Sequence, residues 1–337
     1  MLNRRRFLGS AAAFLAAMST GCANAAPLPR AATTSPEPFS LPADGTPSPS
    51  LTPARPMRVA LLSDIHLQPE DSGLAKTINL KFAKAVEDFR PMEPDLWITN
   101  GDVADHGISS ELEAFKKIIA KAAPLHRVLA TTGNHEFYDM ETTDDVSLSR
   151  WRQAFGVEKP YTSRVAGDLH FVLLADEQWK TAPYNPDWCW ITPEQITWFE
   201  RVLAEHRDKF TVVFMHQPLN ETVVGSMGAR AFGGTNMAEQ IYAILAKNPQ
   251  VKLWFSGHTH RRVDVDGQVV EKNGVTFMGL GSTIYLLGPR PGGGSGRDTE
   301  ASQSRMLEIY PDRVRILARD HVAGQWMDAL ERTVKRS

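Results

Sequence analysis

Cysteine is scarce in this sequence, and there is no excess of charge of either sign. Only Cys22 and Cys189 occur among 337 residues, so no disulfide framework is implied. The formal net charge is −2 and the pI is near 6.6, with acids and bases interspersed. Such a chain offers no broad basic field for the phosphates of duplex nucleic acid, and we therefore expect no nucleic-acid duplex as a partner.

Long hydrophobic runs are absent as well. The apolar run from Leu8 to Met18 is too short to span a bilayer. Arginines at positions 4–6 precede it and small residues follow it, so we interpret residues 1–25 as an export signal peptide. The arginines and the following residues 7–8 resemble a twin-arginine (Tat) signal, which exports proteins already folded around their cofactors. A Sec signal with an arginine-rich start is the alternative.

Cys22 is a candidate lipid anchor. Residues 19–22 resemble a bacterial lipobox, although Ser19 stands where that pattern prefers leucine. A competing cleavage site at residues 23–25 would release a soluble protein without Cys22. Residues 26–56 are rich in Pro, Ser, Thr and Ala with few large apolar side chains, which predicts a disordered linker, with or without a role of its own. We expect an exported protein, either a membrane-anchored lipoprotein or a periplasmic or extracellular one.

Strand and helix patterns alternate from Met57 onward, and we assign residues 57–337 to one domain. The whole chain is 42% hydrophobic and long enough to bury a large core. Strands at 58–63 and 95–100 flank an amphipathic helix at 74–89, which is a βαβ unit. Further predicted elements are a helix from a Ser110/Glu113 capping box to about 122, a strand at 126–132, a short helix at 151–155, a helix at 193–206, a strand at 210–215, a helix at 237–247 and a strand at 251–256.

Paired strands are predicted in the second half of the domain. The sequence indicates hairpins at 161–165/169–175, at 269–271/275–278 around Asn273-Gly274, and at 305–310/313–318 near the C-terminus. Between them, residues 289–304 are rich in glycine and are predicted to be a mobile loop. No internal repeat is visible.

Polar residues follow several of these strands, at the point where each strand ends. The strand at 95–100 ends in Gly101 and Asp102. Because carboxyl ends of strands meet at one edge of an α/β sheet, we expect these side chains to converge. The other strand ends of this kind carry Asp64 and His66, Gly133-Asn134-His135-Glu136, His216, and Gly257-His258-Thr259-His260.

Convergence of these residue types favours a dinuclear metal site. The two oxygens of the Asp102 carboxylate can bridge ions roughly 3.5 Å apart, a spacing useful for displacement at phosphorus. Carboxylates and imidazoles suit Mn, Fe or Zn, and Asn134 adds a neutral oxygen. A lone Asp after a strand is more often a turn former, and a lone His is more often structural. The conjunction of strand-end motifs favours the metal site over these alternatives.

The motifs resemble, in order and over about residues 57–285, those of the calcineurin-like metallophosphoesterases. The resemblance implies a four-layer α/β/β/α sandwich of two mixed sheets flanked by helices. It implies that two divalent or trivalent transition-metal ions (Mn, Fe or Zn) are held, the first by Asp64, His66, Asp102 and His260, and the second by Asp102, Asn134, His216 and His258. By the same resemblance, His135 would lie outside the metal shell, near the scissile phosphate. Asp105 would orient a metal ligand. Glu136 stands where the family often has Asp.

The implied activity is hydrolysis of a small phosphodiester or phosphomonoester by direct attack of a metal-bridging hydroxide. One alternative is a catalytically silent, surface-binding lipoprotein of the same fold, and another is a hydrolase that cleaves diphosphates. Substrate choice is expected to depend on loops at the rim, namely residues 137–145, 178–190, 220–236 and 284–297, with Trp179, Tyr184, Trp188 and Trp190 as a stacking wall or as ordinary packing. We expect a monomer or a small oligomer.

Overall fold

The structure of the protein, a computed structural model, describes residues 55–69, 75–182, 187–227, 233–289 and 295–336. The predicted export signal, Cys22 and all of the predicted linker except Arg55 and Pro56 lie outside these ranges. Within them, no helix combines the length and apolar character needed to cross a membrane.

Up to residue 279 the strands and helices follow one another in the order that the sequence pattern predicts, and the predicted hairpin near the C-terminus is present, whereas the strands at 286–289, 295–298, 325–326 and 332–335 were not predicted. In chain order the strands and helices are β1 (Met57–Leu62), α1 (Ala75–Phe89), β2 (Leu96–Asn100), α2 (Ser109–Ile119), β3 (Val128–Thr131), α3 (Asp144–Phe155), β4 (Thr162–Ala166), β5 (Leu169–Leu173), α4 (Pro193–Glu205), β6 (Phe210–Phe214), α5 (Ala238–Lys247), β7 (Val251–Ser256), β8 (Val269–Lys272), β9 (Val275–Gly279), β10 (Leu286–Pro289), β11 (Ser295–Asp298), β12 (Gln303–Ile309), β13 (Arg313–Asp320), β14 (Gln325–Trp326) and β15 (Arg332–Lys335).

The strands form two mixed sheets, apart from β10 and β11, which pair with each other. The first has the order β14-β13-β12-β1-β2-β3, with β15 also paired to β13; β1, β2 and β3 are parallel, whereas β12 runs antiparallel to β1. The second has the order β4-β5-β6-β7-β9-β8, with a parallel centre and antiparallel outer pairs at both ends.

Three apolar layers hold the sheets and helices together. The inner layer lies between the two sheets and includes Leu61, Ile98, Phe171, Phe214 and Phe255. The first sheet packs its other face against α1, α2 and α3, and the second packs its outer face against α4 and α5. Burial of such side chains contributes roughly 1.5–3 kcal/mol each. The result is a helix–sheet–sheet–helix sandwich, which confirms the predicted fold class.

Local sequence signals explain several boundaries. The Thr192 side chain accepts the backbone N–H of Gln195 at 3.3 Å and Pro193 occupies the first turn, so α4 begins where predicted. Thr143 caps α3 in the same way, and Gly156 ends that helix with φ +65°. The helix predicted at 151–155 is therefore longer than expected, because its polar first turns lack the apolar periodicity that marks a helix in a sequence.

Two predictions of local structure are wrong. The helix α2 is not capped by Ser110; instead, Glu111 accepts the backbone N–H groups of His106 at 2.9 Å and Ile108 at 3.3 Å. The segment 289–304 is not one loop, because β10 and β11 pair antiparallel across it and β12 begins at Gln303. Backbone pairing here needs no apolar side chains, so composition alone suggested a loop; residues 290–294 lie outside the described part.

Candidate metal centre

The strand ends turn sharply at the residues predicted to bind metal. Positive φ angles, which are uncommon for residues other than glycine, occur at Asp64 (52°), His66 (48°), Asp102 (49°), His258 (65°) and His260 (49°). Each of these residues follows a buried strand. Backbone strain of this kind concentrates at functional sites, since the surrounding structure must hold it in place.

Glycines next to these residues allow side chains to approach the backbone closely. A Cβ atom at Gly133 would lie 2.4 Å from Oδ1 of Asp102 and 2.5 Å from the His216 ring. A Cβ at Gly257 would lie 2.4 Å from Oδ2 of Asp64. All three contacts are shorter than van der Waals distance, so glycine is required at both positions for the cluster to assemble.

The first cluster contains Asp64, His66, Asp102 and His260, whose ligand atoms all lie within 4.8 Å of one another. The Nε2 atom of His260 is 3.1 Å from Oδ1 of Asp64 and 3.1 Å from Nε2 of His66. The Nε2 atom of His66 is 3.6 Å from Oδ2 of Asp102. All four residues are at most 5% exposed, which places this cluster in the interior.

The second cluster contains Asp102, His216 and His258. The Nε2 atom of His216 lies 3.0 Å from Oδ2 of Asp102. Asn134 joins the group, because its Oδ1 atom lies 3.0 Å from Nδ1 of His258. Asp102 is common to both clusters, so a single carboxylate stands between them.

The donor set fits two transition-metal ions. The Oδ2 atom of Asp64 is buried and has no hydrogen-bond partner among the described residues. The Nδ1 atom of His216 lies 2.7 Å from the Asn100 carbonyl, and that of His260 lies 3.3 Å from the Tyr285 carbonyl. Both rings can therefore turn their Nε2 lone pairs toward the clusters. Carboxylate oxygen, imidazole nitrogen and amide oxygen together suit Mn, Fe and Zn.

Electrostatics keep the two carboxylates ionised, as metal ligands must be. Burial alone would raise the pKa of Asp102, but His216 and His135 hold it well below the usual value. Burial would likewise raise the pKa of Asp64, but His260 and His216 lower it below the usual value. Burial lowers the pKa of His66 to about 4, so that ring is neutral and can donate its lone pair at neutral pH.

Asp105 lies beside the first cluster, as expected for a residue that orients a ligand. Its Oδ1 atom is 3.3 Å from Nδ1 of His66, the nitrogen that faces away from the cluster. Its backbone carbonyl is 2.9 Å from Nδ1 of His135. A carboxylate on the far nitrogen fixes the tautomer and orientation of a metal-binding imidazole.

His135 lies at the edge of the site. Its backbone N–H donates to Oδ1 of Asp102 at 3.0 Å. Its side chain is 23% exposed and stands edge-on to the His66 ring, with ring centroids 4.2 Å apart. Close contacts among His66, Asp105 and His135 make them a third group of metal-competent residues, although Asp105 and His135 are only partly buried. Exposure sets His135 apart from the buried residues of the two main clusters.

Glu136 connects the loop after β2 to the loop after β3, a role that the sequence analysis did not assign to it. This buried carboxylate accepts the backbone N–H groups of Asp102, Val103, Ala104 and Gly133 at 2.6–3.1 Å. Burial and the Asp102 charge raise the pKa of Glu136 to about 8, although the N–H donors oppose that rise. Each of its two oxygens accepts two N–H groups, and this geometry favours the carboxylate form. Its place three residues after a glycine at a strand end is the only sequence signal for this role.

Aromatic side chains line the rim. Tyr285 stacks on His260 with ring centroids 4.1 Å apart, and the Arg297 guanidinium lies 3.6 Å from the centre of the Tyr285 ring. Trp179 packs on Tyr138 with ring centroids 4.6 Å apart. Tyr184, which was also predicted for this wall, lies outside the described residues.

Backbone N–H groups of the segment 233–236 donate to other parts of the protein. The N–H of Thr235 donates to the Asn220 side chain at 2.9 Å, and the N–H of Gly233 donates to the carbonyl of Gly225 at 3.1 Å. This segment therefore supports the rim loops internally.

A sandwich of two mixed sheets with Asp, His and Asn side chains converging at strand ends defines a class of metal-dependent hydrolases. The family profile described as calcineurin-like phosphoesterase matches residues 57–262, and the chain belongs to that family. It is a metal-dependent phosphoesterase of a family of dinuclear enzymes. The resemblance seen in the motifs is thereby confirmed at the level of the family, and two metal ions are the expected cofactors.

Several known proteins are similar to this chain. A 3',5'-cyclic adenosine monophosphate phosphodiesterase of Escherichia coli strain K12 is 26% identical over 266 residues, covering 76% of this chain and 86% of that protein. A 3',5'-cyclic-nucleotide phosphodiesterase of Nostoc is 22% identical, covering 82% of this chain and 92% of that protein. The fold is similar to a dimetal phosphatase from Danio rerio, with a TM-score of 0.59, 15% identity and coverage of 84% of this chain and 100% of that one.

Proposed function

We propose that this protein hydrolyses small phosphodiesters, with cyclic nucleotides as the substrate class. The observation that carries the proposal is the position of Asp102, which contributes to both clusters and can therefore bridge two ions. Two ions bridged by one carboxylate can act on both the attacking and the leaving oxygen at phosphorus. The named activities of the relatives in Escherichia coli and Nostoc support the diester and the cyclic nucleotide.

The ligands follow from the two clusters. Asp64, His66, Asp102 and His260 would hold one ion, and Asp102, Asn134, His216 and His258 the other. When bound, the ions supply Lewis acidity and lower the pKa of a water molecule.

His135 has the role of a proton donor near the leaving oxygen. Burial lowers its pKa, but the carboxylates of Asp102 and Asp105 raise it to about 9. Asp105, which is not among the proposed ligands, contacts the ring directly and favours its protonated form. His135 is more exposed than the proposed ligands, and substrate can reach it from solvent. A positioned acid of this kind typically accelerates a reaction by about 10²–10⁴-fold.

A substrate panel tests the activity. We expect metal-loaded protein to turn over 3',5'-cyclic nucleotides and bis-p-nitrophenyl phosphate faster than p-nitrophenyl phosphate or UDP-sugars, and an Asp102→Ala variant to turn over none of them. Cleavage of UDP-sugars alone would replace the proposal with diphosphate hydrolysis. Two bound ions without turnover of any substrate would favour a silent binding protein.

We also propose that the protein is exported and that Cys22 carries the lipid anchor. The basic start, the short apolar run and the Gly21-Cys22 pair support this proposal. A Cys22→Ala variant should move from the membrane fraction to the soluble fraction in the native host, whereas Cys189→Ala should partition as the unchanged protein does. Equal partitioning of both variants would favour cleavage after Ala25.

A further inference from the structure

We propose that Tyr138 is a positioning residue that fixes both a metal ligand and the proton donor, an inference that rests on the ligand assignment proposed above. Its hydroxyl accepts a hydrogen bond from Nδ2 of Asn134 at 2.6 Å. Its ring packs on the imidazole of His135, with centroids 4.0 Å apart and an interplanar angle of 33°. One side chain therefore contacts two neighbouring residues that have different roles in the site.

The hydroxyl acts on the amide of Asn134. Only the oxygen of an asparagine amide can bind a cation, so Nδ2 must point away from the metal and needs a partner there. Tyr138 supplies that partner, while Oδ1 at the other end of the amide lies 3.0 Å from Nδ1 of His258.

The ring acts on His135. The backbone N–H of Tyr138 donates to the His135 carbonyl at 3.2 Å, which closes the turn that carries both side chains. Trp179 also packs on the Tyr138 ring, so the tyrosine connects the proposed proton donor to the rim loop at 178–190. Because His135 is partly exposed, this stacking adds to the contact of its Nδ1 atom with the Asp105 carbonyl in fixing the orientation of the ring.

The two contacts can be separated by two substitutions. Tyr138→Phe removes the hydroxyl and keeps the ring, whereas Tyr138→Leu removes both. Loss of a residue that orients a metal ligand typically costs about 10–100-fold in metal affinity or activity. We therefore expect Tyr138→Phe to bind one of its two ions about 10–100-fold more weakly while the other is retained. With saturating metal, its kcat should recover toward the unchanged value.

The leucine variant should show a second defect that metal does not rescue. We expect its kcat at saturating metal to stay low, with the largest loss for diesters of poorly acidic alcohols, which need a proton on the leaving oxygen. KM should change less than kcat, because the affected group acts in the transition state. A role in packing alone would leave the phenylalanine variant like the unchanged protein.

The experiment measures metal content by mass spectrometry during graded chelation, and kcat and KM on a series of aryl diesters. Tyr310→Phe is the matched control, because its hydroxyl contacts Glu308 at 3.3 Å on the C-terminal hairpin, away from the site. Thermal unfolding confirms that each variant is folded. Metal retention by Tyr138→Phe equal to that of the control would overturn the inference. Since metal retention is measured without substrate, this result is independent of which diester the enzyme cleaves.

Discussion

The carboxylate of Glu136 accepts the backbone N–H of Asp102 at 3.0 Å, so the residue two positions after the proposed ligand Asn134 holds the proposed bridging ligand in place. Three more backbone N–H groups donate to the same carboxylate. Asp102 has a left-handed backbone conformation that needs support from its surroundings. Glu136 supplies that support, and it couples the loop after β2 to the loop after β3.

We expect Glu136→Gln to destabilise the protein and weaken its metal binding. The glutamine amide would turn an N–H₂ group toward backbone N–H donors and leave at least one of them without an acceptor. An unsatisfied buried donor costs about 1–3 kcal/mol. Denaturant unfolding and metal analysis would measure the two effects.

Glu111→Gln is the matched control for that substitution. Glu111 is also buried and accepts two backbone N–H groups, but at the start of α2 and outside the proposed ligand set. We expect this variant to lose stability while it keeps both ions. Equal metal loss in both variants would mean that general destabilisation, and not the hold on Asp102, explains the effect.

We expect Asp102→Ala to bind at most one ion per chain, whereas the unchanged protein binds two. Asp102 is the only residue that the two clusters share. Removal of a bridging carboxylate takes a ligand from both ions and leaves their positive charge less compensated. Elemental analysis of protein purified without chelators measures the stoichiometry.

Asp105→Asn is the comparison for the loss of the bridge. Asp105 contacts His66 from outside the cluster, so this variant should retain both ions with lower affinity for one. Two ions in Asp102→Ala, or one ion in the unchanged protein with full activity, would contradict the dinuclear assignment.

Much of this site could be predicted because its residues lie directly after strand ends. Leu96–Asn100 and Val251–Ser256 read as buried strands, and a buried strand in an α/β sheet brings the residues after it to a known edge. Asp102 and His258 could therefore be placed together without knowledge of the loops.

Contacts made by loop side chains could not be predicted in the same way. Tyr138 lies four residues after Asn134, and nothing in that spacing shows whether its hydroxyl points at the amide or into solvent. The pairing of β10 with β11 was also missed, because hydrogen bonds between backbones leave little trace in side-chain pattern when glycine is frequent.

We expect stability to fall with acid partly through His170, which lies far from the metal-binding motifs in sequence. This residue is 0% exposed, and both ring nitrogens lack a partner among the described residues. Burial and the nearby His206 lower its pKa to about 4, compared with about 6.5 in an unfolded chain. Between these values the unfolded state binds more protons, so the free energy of unfolding decreases as the pH falls from about 6.5 to 4.

A His170→Leu variant measures that contribution. Its free energy of unfolding should fall less steeply than that of the unchanged protein over this window, while the exposed control His126→Leu should show the unchanged slope. Both variants must be compared with the unchanged protein at the same metal content, so that titration of the proposed ligands contributes equally to each slope. Identical slopes for all three proteins would show that His170 is not the residue responsible.

We expect His135→Ala to retain both ions and to lose turnover by about 10²–10⁴-fold. The side chain lies outside the two main clusters and is partly exposed, whereas the proposed ligands are buried. Its removal takes a proton donor from the leaving oxygen and leaves the donors to the metals unchanged. Phosphodiesters with good leaving groups need no proton, so the loss should be smallest for bis-p-nitrophenyl phosphate and largest for a cyclic nucleotide, whose leaving group is a sugar hydroxyl.

The decisive measurement is therefore the ratio of the losses on these two substrates, taken together with metal content. His126→Ala, an exposed histidine outside the motifs, serves as the control and should match the unchanged enzyme on both substrates. Loss of an ion from His135→Ala would place this residue in the metal shell through its contacts with His66 and Asp105. Equal losses on both substrates, with both ions present, would assign it to phosphate binding and not to proton transfer.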